Sequence, residues 1–506
     1  MARSPKIKTL AELAQVLSDL RAKSAPRVVH CHGVFDLLHI GHIRYLQQAR
    51  ALGDLLVVTL TKDEFVNKGP HRPAFSDELR LAALAALDCI DYVAINETPT
   101  AADAIRRLKP AFYAKGAEFR DHKTPELLEE EGVAAEVGAT VEFIDDVRSS
   151  SSHLLNKYLS PFDDATEQYL QAMRERYRAA DVIAWLERAK ALKVLVVGEA
   201  IIDEYFTCST MGQSANAPIL ATRYESHERF AGGALAVANH LAPFCGQVDL
   251  LAMLGTRDAE EDWIRAHLVE GVTGRFHYKQ DSPTIVKRRY RESYFGVPLF
   301  AINFLNDNPQ VDSDNTKLCG MLAESLADYD AVVVADYGHQ MLTPRAIELL
   351  SDKARFLAVN TQANAANVGF HTISKYPRAD YVSLAERELY LECRSRGGNL
   401  EELLLEVGKR LYATTVAVTL GKRGSLCYNR RAGFHKAPSL ATNVVDRVGA
   451  GDTFLAISAI CAALDAPIDV LSFLGNVAGA EAVATIGNSR SLEGVPFQRH
   501  IESLFK

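Results

Sequence analysis

A chain of 506 residues exceeds what one ordinary hydrophobic core organises, so two or three domains are expected. A formal net charge of -8 with 24% charged residues, and basic runs no longer than Lys287-Arg288-Arg289, argue against nucleic-acid or membrane-surface binding. The eight cysteines are scattered without a Cys-x-x-Cys pair, against zinc and a secreted disulfide framework, and no apolar run reaches the roughly 20 residues of a spanning helix, so a cytoplasmic protein is expected.

Leu10, Leu13, Leu17 and Leu20 recur at helical spacing and predict an amphipathic helix within residues 5–24. Val28 and Val29 then end a buried strand, Gly33 permits a close turn, and residues 40–52 return to helical spacing, which puts His39 and His42 where a helix begins. The free N–H groups and positive dipole end of such a helix attract phosphate, and two imidazoles there can stabilise charge growing on a leaving pyrophosphate. Two histidines by themselves equally suit a structural pair or a metal site. Residues 54–60 are a short apolar run suited to a parallel strand covered on both faces. Strand, helix, strand opens a doubly wound sheet, whose ligands bind beyond the carboxyl ends of the strands, where Asp36, His39 and His42 lie. Residues 67–73 form a cation-rich loop, residues 90–95 and 110–116 read as further strands, the latter ending at Lys115, and residues 141–144 as another. Arg148 and Ser149 to Ser152 precede a helix at 153–158, where serines serve as linker or as helix caps and phosphate donors.

The run HGVFDLLHIGHIRYLQQARALGD, with Lys68-Gly-Pro-His-Arg-Pro73 and the Lys115-Gly116 strand end, resembles the cytidylyltransferase-like nucleotidyltransferases, in particular the adenylyltransferase half of the bacterial ADP-heptose synthases. The resemblance implies a Rossmann-like nucleotidyltransferase domain over residues 1–160 that joins a sugar 1-phosphate to a nucleoside triphosphate and releases pyrophosphate. In it His39 and His42 steady charge and Lys115 meets phosphate as a mobile point charge. Gly33, Phe35, Asp36, Arg72, Arg148, Ser149, Ser150 and Ser151 would border the nucleotide. His32 and His153 stand where that family commonly has Asn, which leaves the choice of ATP or CTP and of substrate open.

Residues 161–190 are polar with interspersed aromatics and read as a helical connector. Beyond it, residues 193–203 give an apolar strand ending at Asp203, residues 207–223 alternate like a small β excursion, and residues 229–239 enter a helix through Gly232 and Gly233 and reach Asn239. A strand-like run over 283–290 carries Lys287 and Arg289, a cationic edge suited to a substrate that already bears phosphate. Residues 332–339 end a buried strand at Asp336. In Asp446-Arg-Val-Gly-Ala-Gly-Asp-Thr453, Gly449, Ala450 and Gly451 can bring successive N–H groups onto a transferring phosphoryl while Asp452 accepts the proton of the attacking hydroxyl.

This order resembles the ribokinase-like (PfkB) carbohydrate kinases, more narrowly the kinase half of the ADP-heptose synthases. It implies a ribokinase-like α/β domain over residues 191–506, with Asp203, Gly232, Gly233 and Asn239 on sugar hydroxyls and Lys287 and Arg289 on the sugar's phosphate. Thr419, Gly421, Gly424 and Asn476 would surround ATP, Glu388 would serve Mg2+, and Asp452 would be the base. The chain departs from that pattern at His339 in place of Lys, at Asn360-Thr-Gln362 in place of Asp-Pro-Lys, and at Ala385 in place of the Asn of Asn-x-x-Glu. The expectation is an α/β two-enzyme fusion acting on a sugar phosphate and nucleoside triphosphates, a heptose leading by resemblance, with the kinase second where the familiar fusion places it first. Two alternatives stay open: a cytidylyltransferase and kinase for another sugar or polyol phosphate, and a nucleotidyltransferase carrying a non-catalytic sugar-binding module. The resemblance makes a homodimer an option that no residue of the chain fixes.

Overall fold

A computed structural model describes residues 4–66, 73–117, 120, 124–144, 161–294, 296–365 and 367–506. The chain divides into two compact units, Met1–Pro161 and Phe162–Phe505.

The first unit is a five-stranded, wholly parallel sheet. Its strands are β1 (Val28–Gly33), β2 (Leu55–Thr61), β3 (Tyr92–Asn96), β4 (Phe112–Gly116) and β5 (Thr140–Ile144), in the order β3-β2-β1-β4-β5. β2 is apolar without alternation, with Leu56, Val57, Val58 and Leu60 all buried, because helices cover both faces. The expected leading helix starts at Leu10, capped reciprocally by Thr9 and Glu12. The strand order reverses between β1 and β4, and a crevice forms at such a reversal, beyond the strands' carboxyl ends. The predicted helix at 153–158 lies outside the described residues.

The second unit is built on β6 (Lys193–Gln213), whose two ends serve two layers. Residues 193–199 lie between β8 (Gln247–Arg257) and β12 (Ala331–Asp336), in a parallel layer that runs from β9 (Val272–Pro283) through these strands to β13 (Leu357–Thr361), β14 (Tyr381–Ala385) and β15 (Thr415–Thr419). Antiparallel β16 (Ser425–Asn429) and β17 (Gly433–Ala437) close that edge. From Ala200 onward β6 pairs antiparallel with β7 (Leu220–Gly233) and parallel with β10 (Ile285–Glu292), which pairs with β11 (Pro298–Phe304). This four-stranded layer is the β excursion, larger than residues 207–223 alone suggested. The Rossmann-like first unit and the ribokinase-like α/β second unit match the expected fold class.

The expected connector forms two helices, Asp164–Arg176 and Ala179–Ala189, that belong to the second unit. Leu170, Met173, Val182, Leu186 and Ala189 are buried in that unit's core, and Arg176 and Tyr177 both bind Asp469. The segment is not a free spacer, because each helix carries an apolar stripe that must be covered. Among the described residues no helix is long and apolar enough to cross a membrane.

Candidate functional site in each unit

In the first unit β1 delivers the chain to a tight loop ahead of the helix Ile40–Ala51, whose N-cap is His39. His39 Nδ1 accepts the Gly41 N–H at 3.1 Å, which fixes the ring, and its Nε2 has no hydrogen-bond partner among the described residues. The His42 ring lies 4.1 Å from that of His39, centroid to centroid, and Phe35 meets His42 edge-on at 5.6 Å. Phe35 holds a φ of +47°, and a Cβ on Gly33 would come within 3.1 Å of its ring. Gly33 thus makes room for Phe35, and Phe35 buttresses His42.

Two expected contacts are spent inside the unit. Asp36 Oδ1 accepts the N–H groups of Ala74 and Phe75 at 2.7 and 3.1 Å, so it pins the chain emerging from the cation-rich loop. Lys115, at the end of β4, pairs with Glu130 at 2.8 Å, and Glu130 also accepts from the Tyr113 hydroxyl and the Ala101 N–H. Lys115 is therefore anchored rather than a mobile point charge. Arg72, Arg148 and Ser149 to Ser151 lie outside the described residues.

Beneath the crevice His30 Nε2 and His32 Nδ1 both bond the Thr59 hydroxyl, at 2.7 and 2.9 Å, and His32 Nε2 reaches the Thr61 hydroxyl at 3.2 Å. Burial pushes both imidazoles down to about 3, each reinforced by the charge of Lys115, so both are neutral near pH 7. Arg80, 2% exposed, binds the carbonyls of Val34, Thr61 and Phe75 and the Asp63 carboxylate, tying together the loops after β1 and β2. The sequence reading did not single out Arg80.

In the second unit the carboxyl ends of β6's inner half, β12, β13, β14 and β15 share one edge. The helix Ala450–Ala463 begins at Gly449, which takes a φ of +87° and whose Cβ would overlap Asn488 Oδ1 at 2.1 Å. Among the described residues no side chain caps this N-terminus, so Ala450, Gly451 and Asp452 stand in the first turn with donors left for an anion. Asp452 accepts the Tyr337 hydroxyl at 2.7 Å. Burial, with the negative charge of Asp203, pushes its carboxyl up to about 7, while Tyr337 and Lys287 act the other way.

Asp203 pairs with Arg289, bringing the two ends of the expected sugar site together, and a Cβ on Gly232 would lie 2.2 Å from Asp203 Oδ2, so that glycine makes room for the carboxylate. Gly233, at a φ of +61°, opens the helix Ala234–Leu241. Lys287 lies 5.4 Å above the Tyr337 ring, and burial lowers its pKa. Asn239 departs from expectation: its amide donates to the His267 carbonyl at 2.9 Å and accepts the Val269 N–H at 3.1 Å, so both ends shape a loop. Asp336 does not face an open cleft. It is 1% exposed and binds Lys375 and the Tyr376 hydroxyl; although burial raises its pKa, Lys375 and His371 bring it below the usual range.

Thr419 lies beside Ala385 in the sheet, and Glu388 follows one turn later. Glu388 accepts the N–H groups of Ala385 at 2.7 Å and Ala363 at 3.1 Å, and burial together with the charge of Asp452 pushes it up to about 7. Asn360 uses its amide on the Ser383 carbonyl. Gly421 and Gly424 take φ values of +60° and +83° in the turn after β15, and Asn476 donates to Ser425 Oγ at 2.7 Å, fixing the start of β16. Among the described residues no group of three or more His, Cys, Asp or Glu side chains gathers to hold a metal ion.

The sequence reading did not single out Tyr337, Glu199 or Tyr205. Glu199, fully buried, accepts the N–H groups of Tyr337 and His339, both at 3.0 Å. Tyr205, at the root of the excursion, donates to Asp446 at 2.8 Å, and Asp446 also accepts the Gly487 N–H.

Comparison with known proteins separates the units in the same way. Residues 30–157 match the cytidylyltransferase-like family. The chain is 40% identical over 162 residues to the bifunctional protein HldE of Trichlorobacter lovleyi, covering 31% of this chain and 32% of that one. It is 42% identical over 149 residues to the bifunctional protein HldE of Pelobacter propionicus, covering 29% and 30%. The chain thus spans about a third of the length of these relatives. The structure of phosphofructokinase-2 from Escherichia coli with substrates and products superposes with a TM-score of 0.51 at 15% identity, over 62% of this chain and 100% of that one, a likeness of fold. Residues 191–494, more than half of the sequence, match the pfkB family carbohydrate kinases, and the chain belongs to that family.

Proposed function

We propose that the protein is a bifunctional transferase, a sugar-phosphate kinase joined to a sugar-1-phosphate nucleotidyltransferase, whose product is a nucleotide-activated heptose of the ADP-heptose type. The observation that carries the kinase assignment is the bare N-terminus of Ala450–Ala463 with Asp452 in its first turn, a buried carboxylate raised to about 7. A base poised near neutrality takes a proton efficiently at working pH. The sugar hydroxyl would lose its proton to Asp452 as its oxygen attacks the γ-phosphorus of ATP, the bond to the β-bridging oxygen would break, and ADP would leave with the electron pair. Lys287 and Arg289 would hold the phosphate already on the sugar, and Asp203 its hydroxyls. The N–H groups at Gly449, Ala450 and Gly451 would stabilise the moving phosphoryl. Magnesium accompanying the nucleotide would neutralise the phosphates. Glu388, the carboxylate nearest in kind to that task, keeps lone pairs beyond its two backbone bonds.

In the first unit His39 and His42 would steady the charge of the leaving pyrophosphate when a sugar 1-phosphate attacks the α-phosphorus of ATP. Identities of 40% and 42% to proteins named HldE support the heptose reading, with the kinase placed second along this chain. A homodimer through the excursion is part of the proposal. Leu220 and Tyr224 on β7 and Phe300, Ile302 and Phe304 on β11 are exposed apolar side chains on one layer.

The test is ADP release from Mg-ATP against a panel of sugar phosphates that includes heptose 7-phosphate, alongside pyrophosphate release from ATP or CTP with the matching sugar 1-phosphates. Heptose-dependent ADP release with ATP-dependent pyrophosphate release supports the reading. Preference for CTP and another polyol phosphate, or pyrophosphate release with no sugar-dependent ADP, overturns it in favour of one of the two alternatives.

A further inference from the structure

The carboxylate of Asp452 is held by a hydroxyl that is itself held with unusual thoroughness. Tyr337 donates to Asp452 Oδ1 at 2.7 Å, and the backbone of the same residue is clamped on both sides. Its N–H donates to Glu199 Oε2 at 3.0 Å, and its carbonyl accepts the side-chain amides of Asn364 and Asn367, both at 3.0 Å. The next residue, Gly338, takes a φ of +74°, and a Cβ there would lie 2.4 Å from Asn367 Nδ2, so the turn accepts glycine alone. His339 donates its N–H to the other oxygen of Glu199. The Tyr337 ring is 3% exposed, with the Lys287 ammonium 5.4 Å above it. Each clamp could have been met by water in an ordinary surface turn. Here they converge on the backbone of one residue, whose buried hydroxyl donates to Asp452.

Resting on the kinase reading, we propose that Tyr337 is the positioning residue of the phosphoryl-transfer base: it fixes the Asp452 carboxylate through Oδ1 and so reserves Oδ2 for the attacking sugar hydroxyl. A carboxylate at the start of a helix can turn about its side-chain bonds, and a turned carboxylate presents an oxygen off the line of attack. The Tyr337 hydrogen bond removes that freedom before substrate arrives, and proton transfer falls steeply with misplacement. The hydroxyl proton goes to Oδ2, the new bond forms between the sugar oxygen and the γ-phosphorus, and the electron pair of the broken bond leaves on ADP. Tyr337 keeps its own proton throughout, since burial and the neighbouring charge of Asp452 raise the phenol well above its usual range. The other charged groups facing Asp452 are Asp203 on β6, Lys287 on β10 and Glu388 after β14.

The experiment compares the full-length wild type, Tyr337→Phe, Asp452→Asn and the double variant, by steady-state ADP release with the preferred sugar phosphate. Tyr337→Phe keeps the ring and loses only the hydroxyl. The expected result is a fall in kcat of about 10- to 100-fold, the scale of a hydrogen bond to a charged group, with KM for ATP and for sugar within about twofold. ATP binding measured by calorimetry stays at the wild-type affinity, which marks the variant as folded. Because the phenol acts through Asp452, Tyr337→Phe adds no further loss to the residual rate of Asp452→Asn. An unchanged kcat, a loss confined to KM, or equal losses in both backgrounds overturns the inference while the kinase reading stands. A wild type with no sugar-dependent ADP release overturns both.

Discussion

Each unit carries a helix N-terminus that the proposed function assigns to a phosphate, and the two termini are prepared in opposite ways. The first fills the N-cap with His39, whose Nδ1 takes the Gly41 N–H and whose Nε2 is left without a partner among the described residues. The second places Gly449 at the N-cap with a positive φ and no side-chain cap, so the backbone donors themselves are presented. The buried titratable groups differ in parallel. Under the first crevice His30 and His32 are driven down to about 3, and in the second Asp452 and Glu388 are driven up to about 7. The first site rests on neutral imidazoles bonded to the Thr59 and Thr61 hydroxyls, and the second on a raised carboxylate that, in the proposed reaction, takes the proton of the attacking hydroxyl.

The largest effect that would break this contrast is at Asp452. Asp452→Asn is expected to lower sugar-dependent ADP release by about 10²- to 10⁴-fold, the usual worth of a general base, while pyrophosphate release by the first unit is unchanged. Parallel assays of both activities on one preparation check it. In the wild type, kcat/KM for the kinase step should rise with pH to a plateau above about 7, because the base must be ionised. The reciprocal change, His42→Ala, is expected to cost about 10²- to 10³-fold in pyrophosphate release and nothing in ADP release.

The buried histidines give a stability difference. Their folded pKa lies below the unfolded value, so the unfolded chain binds more protons between about pH 6.5 and 3, and stability conferred by the neutral form is lost as pH falls through that window. At pH 5 fully buried His30 is expected to account for about 2 kcal/mol of loss relative to pH 7, and half-buried His32 for less. Urea unfolding followed at both pH values should show His30→Gln narrowing that gap. The smallest expected effect is at Ala385, which caps the helix Glu386–Glu392 without a side-chain bond. Ala385→Asn should raise thermal stability by about 1 kcal/mol through a better N-cap, and a kcat change beyond about threefold would mean that the missing amide matters to chemistry rather than to the cap.

How much of each site the sequence disclosed follows from range. The helix at His39, the Gly449-Ala450-Gly451-Asp452 turn and the strand carrying Lys115 are local patterns, written in residues adjacent in the chain. Local propensity and hydrophobic period suffice to place them. The strand expected to end at Asp203 instead runs on to Gln213, because β7 and β10 pair with its outer half. Asn239, Asp36, Lys115 and Asp336 have the residue types of binding groups, yet the structure commits their polar atoms to the 267–269 loop, the Ala74–Phe75 backbone, Glu130, and Lys375 with Tyr376. The helices at 164–189 read as a connector because the sequence does not name the surface their apolar side chains meet, and only the second unit's core shows what covers them.

The sequence by itself disclosed the glycine turns and the local helical and strand periods, since these rest on short-range pattern, and through resemblance the two α/β folds and their order along the chain. Only the tertiary structure decided which buried group faces which. The separations of 115 positions from Tyr337 to Asp452 and 138 from Glu199 to Tyr337 are closed by sheet packing rather than by any local signal. Burial, which sets the charge of His30, His32, Asp452 and Glu388, exists only once those distant segments have come together.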